Sequence, residues 1–200
     1  MKLISASDNP DDYLDRSPVI DYDDMAIRQT AHRLSAGAHN DDEIIRACYE
    51  FVRDEIAHTF DIGGVEVTCS ASEVLRYGHG ICYAKSHLLV AILRYLGIPA
   101  GFCYQRLHDE DSPSGYVLHG LNAVYFSSLD KWVRLDARGN KPYVKVRLDT
   151  GSDILAFKID ESLGESEDPN IFAAPAESVI RVLTTSANAK MLSCSLPDAY

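Results

Sequence analysis

Apolar residues recur at helical spacing through the first part of the chain. One such stripe begins near Asp23 or Asp24 and stops at Gly37, which predicts a short helix. The next stripe follows Asn40, a good N-cap residue, and three acidic residues that favour the positive end of a helix. It predicts a helix over about 41–57 with one apolar side turned towards a core.

The clearest helix of the chain starts at a cysteine. Ser70 followed by Glu73 has the spacing of a capping box and predicts a short helical turn. The glycine-containing stretch 78–82 leads into an apolar helical pattern over 83–96, with a glycine just past its end. The sequence therefore predicts a helix of about four turns with Cys82 at its N-terminus.

After Pro99 the pattern changes from helical to strand-like. Apolar and aromatic runs separated by turn residues predict strands over 100–107, 117–126 and 131–136. The later pattern allows two more strands and a last helix, over 143–148, 154–159 and 176–183. Helices followed by a run of antiparallel strands are typical of an α+β domain.

The length and the charge limit the class of protein. The 200 residues suffice for a single domain, with an acidic arm at 1–22, a core at about 40–160 and a C-terminal extension at 160–200. Thirty acidic residues against 19 basic ones give a net charge of −11, so we expect no binding to nucleic acids or anionic membranes. Seven aspartates lie within 1–24, which predicts a mostly solvated N-terminal arm.

Hydropathy and cysteine content indicate a compartment. The longest apolar run, 88–93, is far shorter than the roughly 20 residues of a membrane-spanning helix. No secretory signal pattern is visible at the N-terminus. The five cysteines are an odd number without a Cys-x-x-Cys pair, which argues against a disulfide framework or a cysteine-rich zinc site. We expect a reducing, cytoplasmic location.

Three residues have the chemistry for nucleophilic catalysis: Cys82, His119 and Asp136. A helix N-terminus stabilises a thiolate, and the thiol also needs a base, usually histidine, that is oriented by an acceptor. His119 lies on the predicted strand 117–126, and Asp136 ends the next strand. A tight antiparallel turn would bring these two side chains together and leave one imidazole nitrogen facing the thiol.

Other roles for cysteine and histidine are weaker. A free cysteine usually packs as a small hydrophobic residue, and we expect this of Cys48, Cys69 and Cys103. His79 and His87 lie on either side of Cys82, which raises metal binding as an alternative, but their spacing matches no common ligand motif. We expect no metal and no cofactor.

Several segments, in this order, resemble the transglutaminase-like superfamily, which has a papain-like cysteine enzyme core. They are Thr68-Cys-Ser-Ala-Ser-Glu-Val-Leu75, Gly80-Ile-Cys82, Leu96-Gly-Ile-Pro-Ala100, the strand of His119 and Trp132-Val-Arg-Leu-Asp136. The similarity covers about 68–137. Many members follow the histidine with a tryptophan and an Asn-Glu pair, whereas this chain has His119-Gly-Leu-Asn-Ala-Val124, which indicates a different cleft shape.

The resemblance implies a papain-like α+β fold in which N-terminal helices pack on an antiparallel sheet. It implies a Cys-His-Asp triad with Cys82 as nucleophile, His119 as base and Asp136 as the orienting residue. The expected activity is that of a cysteine-dependent hydrolase or acyltransferase on a peptide or protein amide, through a thioester. A peptidase or amidase is favoured over an amine-transferring enzyme, and a catalytically silent binding module of the same fold is the alternative. The Cys82 backbone N–H would hold the oxyanion, and candidates for the second donor are Tyr83, Asn122 and His58.

Overall fold

The computed structural model describes residues 2–200, and three of its helices in the first half begin at side-chain caps. The helices are Met25–Ser35 (α1), Asp41–Asp54 (α2), Ala71–Tyr77 (α3), Cys82–Tyr95 (α4), Glu177–Thr185 (α5) and Ala189–Ser193 (α6). The side chains of Asp24, Asn40 and Ser70 each accept a backbone N–H in the first turn of α1, α2 and α3. These bonds satisfy donors that a helix leaves open, so the predicted helices of the first half are confirmed.

One antiparallel sheet forms the other half of the fold. The strands of this sheet and of two smaller strand pairs are Ile4–Ser5 (β1), Ala57–His58 (β2), His79–Gly80 (β3), Ala100–His108 (β4), Tyr116–Phe126 (β5), Lys131–Leu135 (β6), Ser166–Glu167 (β7) and Asn170–Ile171 (β8). The main sheet has the order β6-β5-β4-β7 with antiparallel neighbours throughout. The expected α+β fold, helices together with an antiparallel sheet, is confirmed.

The helix that begins at Cys82 lies at the centre of the molecule. Twelve of the 14 residues of α4 are buried, and the helix contacts α1, α2, α3 and β5. Its buried Arg94 also has hydrogen-bond partners inside the protein, because the guanidinium donates to the carbonyls of Ala100 and Ala173. The start of α4 is therefore a rigid position. Within residues 2–200, no helix is long and apolar enough to cross a bilayer.

Two small parallel strand pairs complete the fold. In the first, β2 pairs with β3, and His58 lies opposite Gly80, two residues before Cys82. In the second, β1 pairs with β8, with Ile4 opposite Asn170. The first pair therefore fixes the approach of the chain to the start of α4.

Three of the predicted elements differ in the structure. The helix expected over 41–57 already ends at Asp54, because Ala57 and His58 pair with β3 instead. The segment 143–148 is not a strand, although Val144, Val146 and Leu148 are buried. The segment 154–159 is not a strand either, because the N–H of Ala156 donates to the Asp136 carboxylate. Buried alternation without a paired strand explains the error at 143–148, and the bond of the backbone to a side chain explains the error at 154–159.

The N-terminal arm is packed more closely than its charge indicates. Tyr13, Val19 and Ile20 are buried, and the Tyr13 hydroxyl donates to the Ile171 carbonyl at 2.8 Å. The expectation of a mostly solvated arm is wrong for these apolar residues, which dock on the domain. The division into arm, core and extension stays a prediction.

Candidate active site

Cys82 is the first residue of α4 and is partly buried. The preceding N-cap residue, Ile81, is extended, and within residues 2–200 no side chain caps this helix. The first N–H groups of α4, with the positive end of the helix, are thus open near the thiol. Three other cysteines are buried. Burial raises the thiol pKa to about 12 for Cys48, Cys69 and Cys103, and their burial confirms their expected place in the core.

His119 and Asp136 form a buried pair. Their Nε2 and Oδ2 atoms are 2.8 Å apart, with His119 on β5 and Asp136 directly after β6. The carboxylate also accepts the backbone N–H of Ala156 on Oδ2 at 2.9 Å and that of Arg138 on Oδ1 at 3.0 Å. Burial raises the pKa of Asp136, but the His119 charge and these N–H donors outweigh it and lower the pKa. The aspartate is therefore held as an anion.

The imidazole of His119 interacts with both of its expected neighbours. Burial lowers its pKa, but the charge and hydrogen bond of Asp136 and the side chain of Cys82 outweigh burial and raise the pKa to about 10. The structure thus brings His119 and Asp136 into direct contact, and Cys82 is one of the groups that raise the pKa of the imidazole. A proton on this imidazole is stabilised from both sides.

The segment that follows the sheet covers the histidine. The Phe157 ring packs edge-on against the His119 ring, with centroids 4.8 Å apart at 77°. Ala156, its neighbour in the chain, supplies one of the N–H donors to Asp136. Sequence reasoning missed both residues. The apolar run 154–157 was the signal, but its spacing indicated a strand.

The opposite flank is formed by Tyr83 and the residues around His119. The Tyr83 hydroxyl donates to the Leu118 carbonyl at 2.5 Å. Gly120 lets the Tyr83 ring approach β5, because a Cβ at this position would lie 2.7 Å from Cδ1 of the ring. The Asn122 amide nitrogen donates to the Gly101 carbonyl at 3.2 Å. Tyr83 and Asn122 are therefore already engaged in bonds that hold β5 in place.

His58 differs from these two residues. It is buried on β2, and its Nδ1 has no hydrogen-bond partner among residues 2–200. Burial, together with the Arg138 charge, lowers its pKa to about 3, so the ring is neutral at physiological pH. Arg138 itself is held by a bidentate ion pair with Asp61, at 2.8 and 2.9 Å.

The two histidines near Cys82 in the sequence have structural roles. The His79 Nδ1 bonds to the Thr59 hydroxyl at 3.0 Å, and the His87 Nδ1 bonds to the Cys69 carbonyl at 2.7 Å. In the part of the chain that the structure describes, no group of three or more His, Cys, Asp or Glu side chains is arranged to hold a metal ion.

Comparison with solved structures shows where this fold occurs. A "Putative Cysteine Protease" from Cytophaga hutchinsonii superposes with a TM-score of 0.50 at 19% identity, over 63% of this chain and 40% of that one. A "putative protease" from Parabacteroides distasonis gives a TM-score of 0.41 at 16% identity, over 62% of this chain and 25% of that one. This chain thus spans less than half the length of either protein.

Comparison of sequences gives the family. A search of curated proteins found no match. The family model described as "Transglutaminase-like superfamily" matches residues 28–137, which include all of α2, α3, α4, β4, β5 and β6. The chain belongs to the transglutaminase-like superfamily.

Proposed function

We propose that this protein is a cysteine-dependent hydrolase or acyltransferase that acts on peptide or protein amides through a thioester on Cys82. The observation that carries the proposal is the 2.8 Å contact of His119 with Asp136, next to a cysteine at the open start of α4. A nucleophile, a base and an orienting acceptor in contact are the elements of nucleophilic catalysis.

The acylation half of the reaction uses Cys82 and His119. His119 takes the thiol proton, and Sγ attacks the carbonyl carbon of the amide, which forms a C–S bond and an oxyanion. The oxyanion then collapses, the C–N bond breaks, and the leaving nitrogen takes the proton from His119. Asp136 stays ionised and stabilises the imidazolium that forms between these steps.

The deacylation half returns the enzyme to its starting state. A water molecule attacks the thioester carbon and gives a proton to His119, after which the C–S bond breaks and the proton returns to Cys82. The products are a carboxylic acid and an amine, so atoms and protons balance. An amine in place of water would give transpeptidation, and the choice depends on how far water is excluded from the cleft.

The oxyanion needs two donors, and we assign these to the Cys82 backbone N–H and His58. Tyr83 and Asn122 already donate to main-chain carbonyls. His58 is neutral, and a proton on its buried Nδ1 would face no acceptor in the described chain, so the ring proton belongs on Nε2. The pairing of β2 with β3 keeps this ring next to the residues that lead into Cys82.

The proposal is tested by alkylation with iodoacetamide, followed by peptide mapping. We expect Cys82 to react faster than the exposed Cys194 at about pH 6, well below the ordinary thiol pKa of about 8.5. His119→Ala removes this preference, while Cys194 serves as the internal control in both chains. Equal rates at the two cysteines in the unmodified chain would contradict the proposal and favour a silent binding module of the same fold.

A further inference from the structure

One edge of β5 next to His119 has no strand beside it in the described chain. The strand β6 pairs only with residues Asn122–Phe126 of β5, so the part over 116–121 is free on that side. Leu118 is the residue whose polar groups point there: its N–H donates to the Pro197 carbonyl at 2.7 Å, and its carbonyl accepts from Tyr83. An open strand edge of this kind is a template for an extended peptide.

The C-terminal segment, residues 189–200, is bonded to β5 at the residue that precedes His119. Near its start, the Ala189 N–H donates to the Val65 carbonyl at 2.9 Å, in the loop that follows β2. Near its end, Pro197 bonds to Leu118 on β5. The residue after Cys82 reaches the same position of β5, because the Tyr83 hydroxyl donates to the Leu118 carbonyl. The segment therefore docks beside His119 and beside the residue that follows Cys82.

The end of this segment is anchored by an aromatic ring. The Tyr200 ring stacks on Tyr104 at 5.6 Å and 24°, and it also contacts Phe172 at 5.2 Å. Tyr200 nevertheless stays 56% exposed, and the groove next to it is open, with a volume of about 400 Å³. The attachment consists of two hydrogen bonds, Leu118 N–H to the Pro197 carbonyl and the Ser178 hydroxyl to the Ala199 carbonyl, together with the partly buried Leu196 and the half-exposed Tyr200 ring, and a competing peptide can replace it.

We propose that residues 195–200 occupy the place where the main chain of an extended peptide substrate docks on β5, and that the substrate displaces them. The inference rests on the proposed function and specifies its substrate. The substrate is an extended peptide whose carbonyl pairs with Leu118 and whose side chain three residues later is aromatic, as Tyr200 is three residues after Pro197. The C-terminal segment thus acts as an internal competitor.

The test compares the full chain with a chain that ends at Cys194, which keeps every thiol. We expect the shorter chain to be alkylated at Cys82 at least roughly tenfold faster, because the truncation removes two hydrogen bonds and the two ring contacts of Tyr200 that hold the segment in place. In the full chain, Tyr200→Ala should also raise the alkylation rate of Cys82. Because the Tyr200 ring is half exposed, this variant keeps the fold. Amide hydrogen exchange at Leu118 should be slow in the full chain and fast in the shorter one.

A binding measurement separates docking from catalysis. A labelled peptide, Ser-Leu-Pro-Asp-Ala-Tyr, should bind the shorter chain carrying Cys82→Ala, as measured by fluorescence polarisation, and the same peptide with a final alanine should bind more weakly. Binding to this variant, together with no hydrolysis of any peptide by the shorter chain that retains Cys82, would keep the docking site and refute the hydrolase. Unchanged Cys82 alkylation in both variants, with no binding of the peptide, would overturn the docking site even in an active enzyme.

Discussion

Replacing Asp136 with asparagine tests how strongly the carboxylate holds the site together. The two oxygens accept three N–H groups, from His119 and Ala156 on Oδ2 and from Arg138 on Oδ1. An asparagine has one oxygen and one NH₂ group. In either orientation at least one of the three donors faces NH₂, and the imidazolium of His119 loses its counter-charge.

The size of the effect follows from these contacts. A buried N–H without an acceptor costs about 1–3 kcal/mol, and removing one partner of a buried ion pair costs about 3–5 kcal/mol. We therefore expect Asp136→Asn to lower the free energy of unfolding by about 3–5 kcal/mol, a large part of the roughly 5–15 kcal/mol that a domain has. Urea unfolding followed by circular dichroism measures the difference.

The loss should depend on pH in a defined way. The pKa of His119 is raised from 6.5 to about 10, so its contribution is complete below pH 6.5 and is lost as the pH rises through about 10. The pKa of Asp136 is lowered, so its contribution is present above its ordinary value of about 3.9 and is lost as the pH falls through the folded value. The wild type and the variant should differ most between about pH 4 and 6.5.

The matched control is Asp111→Asn, which changes an exposed aspartate in the loop between β4 and β5. This variant should unfold within about 0.5 kcal/mol of the wild type. A loss below about 1 kcal/mol for Asp136→Asn, or a loss that does not change with pH, would refute the argument that a buried ion pair organises the site.

Three further substitutions test neighbouring contacts. His58→Phe should lower kcat by about 10²–10³-fold with little change in KM, because an oxyanion donor acts in the transition state. A rise in KM as large as the fall in kcat would contradict this role. Lys85→Met should cost about 1–3 kcal/mol in urea unfolding, because the three main-chain carbonyls that accept from the buried Nζ would lose their donor; near-neutral stability would refute its role. Gly120→Ala should cost about 1–3 kcal/mol and lower the melting temperature, because its Cβ would overlap the Tyr83 ring; an unchanged melting temperature would show that the ring moves freely.

Local signals in the sequence were sufficient for most of the helices and for the position of Cys82 at the start of α4. Asn40 and the pair of Ser70 with Glu73 act through bonds within three residues, and these bonds are present at α2 and α3. The long apolar pattern after Cys82 predicts a buried helix without knowledge of what packs on it, because α4 is apolar and buried on all sides. The contact of His119 with Asp136 followed from two neighbouring strands joined by a short turn.

Contacts between distant parts of the chain could not be predicted in this way. Ala156 and Phe157 contact the site from a segment whose backbone bonds to a side chain and not to a strand, so periodicity gave the wrong element. Pro197 meets Leu118 across 79 positions of sequence, and the pattern of neither stretch indicates the other. Tertiary contacts of this kind decide what covers a site, whereas local patterns decide which residues form it.

The pairing of β1 with β8 has a consequence for the order in which the chain folds during synthesis. Ile4 pairs with Asn170, so the two partners are separated by 166 positions, and closing so large a loop is slow. At a synthesis rate of about 5–20 residues per second, the first strand waits roughly 8–33 s for its partner to leave the ribosome. The seven aspartates within 1–24 keep the nascent arm hydrated during this interval. The arm is thus solvated while the chain is being made and docks only when Ile171 arrives to accept the Tyr13 hydroxyl.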